Sequence, residues 1–346
     1  MSSGNYSFKQ LINDIPKAEI HLHLEGLISV DTIWKLVQEN DLDFEGSDSK
    51  ENIKKRFNVK SLDEFINLFL SVIQASFKKE QDIIHLITDA QNYLVRNNIV
   101  YTEIFFAPSK FIQSGFSFSH MADILEAGAK KLYEESNITV KYLIDVSRTF
   151  GLENAENNLS LLLENQRSSI IGIGLGGSES SGPAKEFQSV FERAIENNLK
   201  VVAHAGEDVG PESIWDSLNL LKAERIGHGI SAIQDQKLID FLKDKQIPLE
   251  ICPTSNLFTR KYVSSIDEHP IKEFYNQGLN VTLNSDDPTL FSSDLVDEYN
   301  LLFENGIFSE KEILDIMKNT VFSSFADKKQ KKAIWKSAEK LIKKYK

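Results

Sequence analysis

The sequence contains a single cysteine, Cys252, in 346 residues. One thiol excludes an internal disulfide framework and suits a reducing compartment. No apolar run reaches the roughly 20 residues a membrane-spanning helix needs. Met1–Gln10 lacks the basic start and apolar core of a secretory leader, so the cytoplasm is the expected location, with no membrane partner. Low-complexity tracts are missing as well. Positive charge is scarce: 39 Lys and Arg stand against 51 Asp and Glu, a formal net charge of −12. Nucleic-acid binding needs a basic stripe to neutralise phosphates, so that class is set aside. The one basic concentration, residues 328–346, carries Ile334, Trp335, Leu341, Ile342 and Tyr345 at roughly helical spacing. It reads as a solvated amphipathic terminal helix.

What is present is a repeat of structural type. Eight short β-rich runs recur at 18–24, 101–107, 141–146, 170–175, 200–204, 225–229, 248–252 and 280–284. Between them lie segments of helical periodicity, among them 118–136, 155–165, 185–197, 211–221, 235–243 and 271–277. Alternating strands and helices demand a parallel sheet with crossovers, and eight units close naturally into a (β/α)8 barrel. An open doubly wound sheet is the competing architecture, but it gathers its ligand at one switch point. Here polar candidates end strands one, four, five, six, seven and eight, which favours one barrel domain spanning 1–346. The connection from Leu27 to Asn98 is far longer than an ordinary crossover. Within it, 30–40, 62–77 and 79–97 read as helices and 41–61 as irregular, a helical insertion over the barrel mouth. Its run Phe65-Ile-Asn-Leu-Phe-Leu70 reads either as helix core or as an apolar lid. Additional helices follow the eighth strand.

His21-Leu22-His23 carries the chemistry. Side chains alternate along a strand, so both imidazoles point to one side and can reach one ion. His204 ends the fifth run, and Asp286 follows the eighth. Strands one and eight are neighbours in a barrel, and strand five faces them, so three nitrogens and one carboxylate converge as zinc requires. Glu207, just past His204, is either a helix-start carboxylate or a catalytic one. His228, between Gly227 and Gly229, sits where backbone passes close to something. Asp287 is a turn carboxylate before Pro288, or a substrate contact beside a metal ligand. His85, His120 and His269 read as ordinary helix or loop residues, and Cys252 as a small buried one.

Taken in order, Pro16-Lys-Ala-Glu-Ile-His-Leu-His-Leu-Glu-Gly26, His204-Ala-Gly-Glu207, Arg225-Ile-Gly-His-Gly229, Cys252-Pro-Thr-Ser-Asn256 and Ser285-Asp-Asp-Pro288 resemble the adenosine deaminase family of zinc aminohydrolases. The resemblance implies one Zn²⁺ held by His21, His23, His204 and Asp286. It implies that Glu207 gives a proton to purine N1, that His228 orients the attacking water and helps deprotonate it, and that Asp287 bonds N7. Gly177 matches the glycine whose N–H approaches N3, and His23 also meets the substrate. The other zinc deaminase design needs a P-C-x-x-C pair, which one cysteine cannot supply. Glu25 stands where adenosine deaminases carry an aspartate facing ribose, and Glu25 with Ser285-Asp-Asp resembles the adenine deaminase branch. Arg225-Ile-Gly-His-Gly resembles adenosine deaminases. A third branch takes aminodeoxyfutalosine, a larger adenine nucleoside with a carboxylate, which Arg148 could clamp unless it is a surface arginine. Adenosine is the leading expected substrate, adenine and aminodeoxyfutalosine the alternatives. A catalytically silent nucleoside-binding relative is the expectation from another class, and a two-metal hydrolase lacks an identifiable bridging lysine.

Overall fold

Each of the eight runs forms a strand in the computed structural model, which describes residues 7–57, 59, 62–259 and 261–345. The strands are β1 Lys17–His23, β2 Ile99–Phe106, β3 Thr139–Asp145, β4 Ile170–Leu175, β5 Lys200–Ala205, β6 Arg225–His228, β7 Leu249–Ile251 and β8 Val281–Leu283. All pair in parallel and in sequence order. β1 and β8 share no long ladder. They meet at a single bridge, Leu22 with Asp286, where the Asp286 N–H donates to His21 O (3.2 Å) and the His23 N–H donates to Asp286 O (3.0 Å). The barrel is therefore closed through the residues singled out for chemistry.

Alternation along the strands builds two layers. On β2, Ile104 and Phe106 join the large apolar cluster between sheet and helices, while Phe105 packs with Leu143 and Val202 in a separate cluster. Phe325 adjoins that cluster, and the Arg225 guanidinium lies 3.9 Å from its ring centroid. The β1–β2 register slips between Glu19 and Leu22. Such an irregularity re-aims side chains: Glu19 accepts from Tyr93 of the helix Ile83–Arg96 (2.9 Å), whereas His21 packs against Phe105. Helix ends follow local chemistry. Ser117 caps Phe118–Ser136, which stops at Asn137 in the left-handed conformation.

The 27–98 connection holds the helices Val30–Glu39, Lys50–Arg56, Leu62–Leu68 and Ile83–Arg96. Lys50–Arg56 lies in the stretch expected to be irregular, whose residues 58, 60 and 61 are outside the described residues. Ser49 caps this helix, but only Ile53 on it is buried, so it shows no apolar period. The helix expected over 62–77 does not run straight. After Leu68 it widens into a π turn over Phe69–Ile73 and tightens to a 3₁₀ turn at Gln74–Ser76. The Ser71 and Ser76 hydroxyls donate to the carbonyls of Asn67 and Val72, at 2.6 and 2.5 Å, which bends such a segment. The basic terminal segment forms the helix Lys328–Tyr345, with Ile334 and Ala338 buried. Among the described residues no helix is long and apolar enough to cross a membrane.

Candidate active site

Strand ends bring the four predicted ligands together. One donor atom from each of His21, His23, His204 and Asp286 lies within 4.8 Å of the others. Asp286 Oδ1 stands 3.5 Å from His21 Nε2 and 3.3 Å from His23 Nε2, and His23 Nε2 is 3.2 Å from His204 Nε2. Burial alone drives imidazoles neutral. Even so, Asp286 and Glu250 lift His21 to a pKa of about 9, and Asp287 and Asp286 lift His23 to about 10. Burial and the other imidazoles push His204 far down, leaving a neutral lone pair. His21 Nε2 is buried without a hydrogen-bond partner. Three imidazoles and one carboxylate, in a field that favours a cation, fit a divalent ion such as zinc.

The supports are as specific as the cluster. His21 Nδ1 lies 2.7 Å from Glu250 Oε2, which leaves Nε2 facing the cluster. Glu250 in turn accepts from Arg225 Nε at 2.5 Å, and Arg225 Nη2 reaches Glu103 at 2.6 Å, all three buried. Burial would raise Glu250, but Arg225 and His21 hold it below the ordinary carboxylate range. Gly227 explains part of the Gly-His-Gly pattern: a Cβ there would lie 2.7 Å from the His21 ring. His228 (φ +59°) and Asp286 (φ +65°) are both held in the left-handed region, a strain found at functional sites.

Glu207 and His228 face each other, with Glu207 Oε2 3.4 Å from His228 Nε2. Burial first, then the Asp286 and Glu179 carboxylates, raises Glu207 well above the usual range. His228 is held neutral, burial taking it to about 4 against the pull of Asp286. Asp286 is held well below the usual carboxylate range because the adjacent imidazoles of His21, His23 and His228 outweigh its burial. Asp287 is pushed up by burial and by Asp286 itself, although His23 opposes the rise.

These groups floor a cleft enclosing about 950 Å³, its solvent-open mouth included. His23, Gly177, Glu207, His228, Asp286 and Asp287 line it. Gly177 has φ +89°, and a Cβ there would sit 2.5 Å from Thr149 Oγ1. The run 65–70 divides its faces. Leu68 is buried in the core, while Phe65, Ile66, Phe69 and Leu70 form a cleft wall, with Phe65 stacked on Phe291 (5.6 Å, 9°).

The adenosine deaminase family profile matches residues 16–341. The chain belongs to the adenosine deaminase family. As such it is a metal-dependent aminohydrolase. It is 36% identical over 318 residues to an aminodeoxyfutalosine deaminase of Streptomyces avermitilis, covering 91% of this chain and 88% of that one. It is 33% identical over 322 residues to an adenine deaminase of Acinetobacter baylyi, covering 93% and 96%. The crystal structure of an adenine deaminase from Arthrobacter aurescens superposes with a TM-score of 0.90 at 27% identity, covering 95% of this chain and 99% of that one.

Two expected substrate contacts are corrected. Arg148 is neither a carboxylate clamp nor a surface residue: it is buried, donating through Nη1 to Gly182 O (2.9 Å) and through Nη2 to His204 O. Its guanidinium braces the strand end that carries His204. Glu25 does not line the cleft. Its Oε1 accepts from Gln74 Nε2 (3.2 Å) and the Ala107 N–H (3.1 Å), and its buried Oε2 has no hydrogen-bond partner.

Several residues escaped the sequence reading. Asp145 and Ser147, at the end of β3, line the cleft, and strand-end position was the available signal. Glu179 accepts from the N–H groups of Gly206, Glu207, Asp208 and Val209 and from Ser213 Oγ, anchoring the turn that presents Glu207. His269, taken as a plain loop residue, is buried and 3.2 Å from Asn256.

Proposed function

We propose that the chain is a zinc-dependent deaminase that replaces the C6 amino group of a purine by oxygen and releases ammonia. Aminodeoxyfutalosine is the leading substrate. One observation carries the choice: above a polar, purine-binding floor the cleft continues between apolar walls formed by Phe65, Phe69, Phe150, Phe258 and Phe291. A larger adenine nucleoside would lay the part beyond its base against those walls, a contact that adenine by itself lacks. The 36% identity to an aminodeoxyfutalosine deaminase supports the same reading. Among the described residues no lysine or arginine lines the cleft.

His21, His23, His204 and Asp286 would hold zinc, which supplies the Lewis acidity that makes water nucleophilic near neutral pH. Glu207, protonated because burial and neighbouring carboxylates raise it, holds its proton toward N1 and so makes C6 electrophilic. Asp287, raised in the same way, offers a proton to N7. Gly177 lets the flat base approach backbone at N3. His228 orients the attacking water, and the 65–70 wall acts as a lid that excludes bulk water.

Adenine is the second reading. It is favoured by the Glu25 side chain being engaged with Gln74 and the Ala107 N–H, and by the 33% identity to an adenine deaminase. The deciding experiment measures kcat/KM of metal-loaded protein for aminodeoxyfutalosine, adenosine and adenine in parallel. The first is expected to lead. Turnover of adenine alone would overturn the choice, and release of ammonia from none would overturn the reaction.

A further inference from the structure

A chain of hydrogen bonds enters the site from behind His228, and its direction follows from one backbone amide. The Ile271 N–H donates to His269 Nδ1 at 3.1 Å. A peptide N–H can only donate, so His269 Nδ1 carries its lone pair and the ring's hydrogen is on Nε2. Burial, aided by His228, lowers His269 to about 3, in keeping with a neutral ring. His269 Nε2 meets the Asn256 side chain at 3.2 Å, and the atom it meets must be the amide oxygen. The Asn256 NH₂ then faces His228 Nδ1, 3.1 Å away, and donates to it. Asn256 is fully buried, and His269 and His228 nearly so, which strengthens the bonds along the path.

We infer that Asn256 and His269 are positioning residues that lock neutral His228 in the tautomer with hydrogen on Nε2. That nitrogen faces Glu207 Oε2 at 3.4 Å and Asp286 Oδ2 at 3.9 Å. Neutral His228 therefore offers the site a donor, not a lone pair. It orients an oxygen by giving a hydrogen bond and does not take that oxygen's proton at Nε2. The acceptor role passes to a carboxylate, and the unshared Asp286 oxygen is the one His228 Nε2 faces. The kinetic consequence rests on the function proposed above, but the tautomer does not.

The test is a long-range ¹H–¹⁵N correlation on ¹⁵N-histidine-labelled, metal-loaded protein without substrate, with His228 assigned by comparison with His228→Asn. Wild type should show His228 Nδ1 as an unprotonated, hydrogen-bonded nitrogen and Nε2 as a protonated one. In Asn256→Asp a carboxylate oxygen replaces the NH₂ donor, so the two signals should exchange and kcat should fall by roughly 10–100-fold. His269→Gln, which keeps a donor toward Asn256, should preserve the wild-type signals. His269→Phe, which removes that donor, should mix the tautomers. A wild-type spectrum with hydrogen on Nδ1, or an Asn256→Asp spectrum identical to wild type, overturns the inference. Absence of turnover with every purine, with the signals as expected, would instead reject the proposed function and leave the relay standing.

Discussion

At the scale of single residues, Glu179 shows how one buried carboxylate sets the geometry of another, the proposed proton donor Glu207. It gathers four backbone N–H groups and one hydroxyl, and three of those donors belong to consecutive residues 207–209. Glu179→Gln must turn an NH₂ toward some of these donors. The displaced turn should lower kcat by about 100-fold, the cost of a misplaced catalytic group, with zinc content by elemental analysis unchanged. The pH profile gives the sign a second check. Glu207 is raised, so its proton-donating form is lost as pH climbs through that raised pKa, and kcat/KM should decline on the alkaline side. The Glu179 charge contributes to the rise. Its removal should move that decline to lower pH, read from kcat/KM between mildly acidic and alkaline buffers.

At the scale of elements, the π-widened segment after Leu68 matters because it sets Phe69 on the cleft wall beside Phe65 of the preceding helix. Phe65 stacks on both Phe69 (6.0 Å) and Phe291 (5.6 Å), bridging the insertion to the helix Pro288–Phe291 that follows Asp287. Aromatic pairs of this kind are worth about 0.5–1.5 kcal/mol. Phe65→Ala should therefore raise KM for the larger nucleoside by up to roughly tenfold with kcat little changed. Adenine, which lacks the larger nucleoside's extension, should be affected less. Phe65→Ala also removes both ring pairs, so the melting temperature measured alongside should fall by about a few degrees.

At the scale of the whole molecule, the ligand cluster also fastens the barrel. His21 and His23 come from β1, His204 from β5, and Asp286 from just beyond β8, while the β1–β8 seam has one bridge of its own. An ion held there ties together strands on opposite sides of the ring. Ligand binding to the native state at a thousandfold above Kd adds about 4 kcal/mol. Chelation should thus lower the melting temperature by roughly 5–15 °C, and zinc should restore it. Hydrogen exchange should quicken most at the His23 and Asp286 amides that close the seam.

The eight strands, their order and the His21, His23, His204 and Asp286 set were legible in sequence because strand-ending motifs are local and a barrel permits only one way for them to converge. Glu207 and Asp287 were legible for the same reason. Arg148 and Glu25 were misread because whether a charged side chain meets ligand or backbone depends on what packs around it, here Gly182, Gln74 and Ala107 from distant segments. The parts played by Glu179, Glu250, Asn256 and His269 were not legible, since each acts through a contact that only the folded chain makes. The amino-acid order decided which chemistry meets at the mouth. Only tertiary packing decided which way each buried proton points, because a hydrogen bond's direction is set by both of its ends.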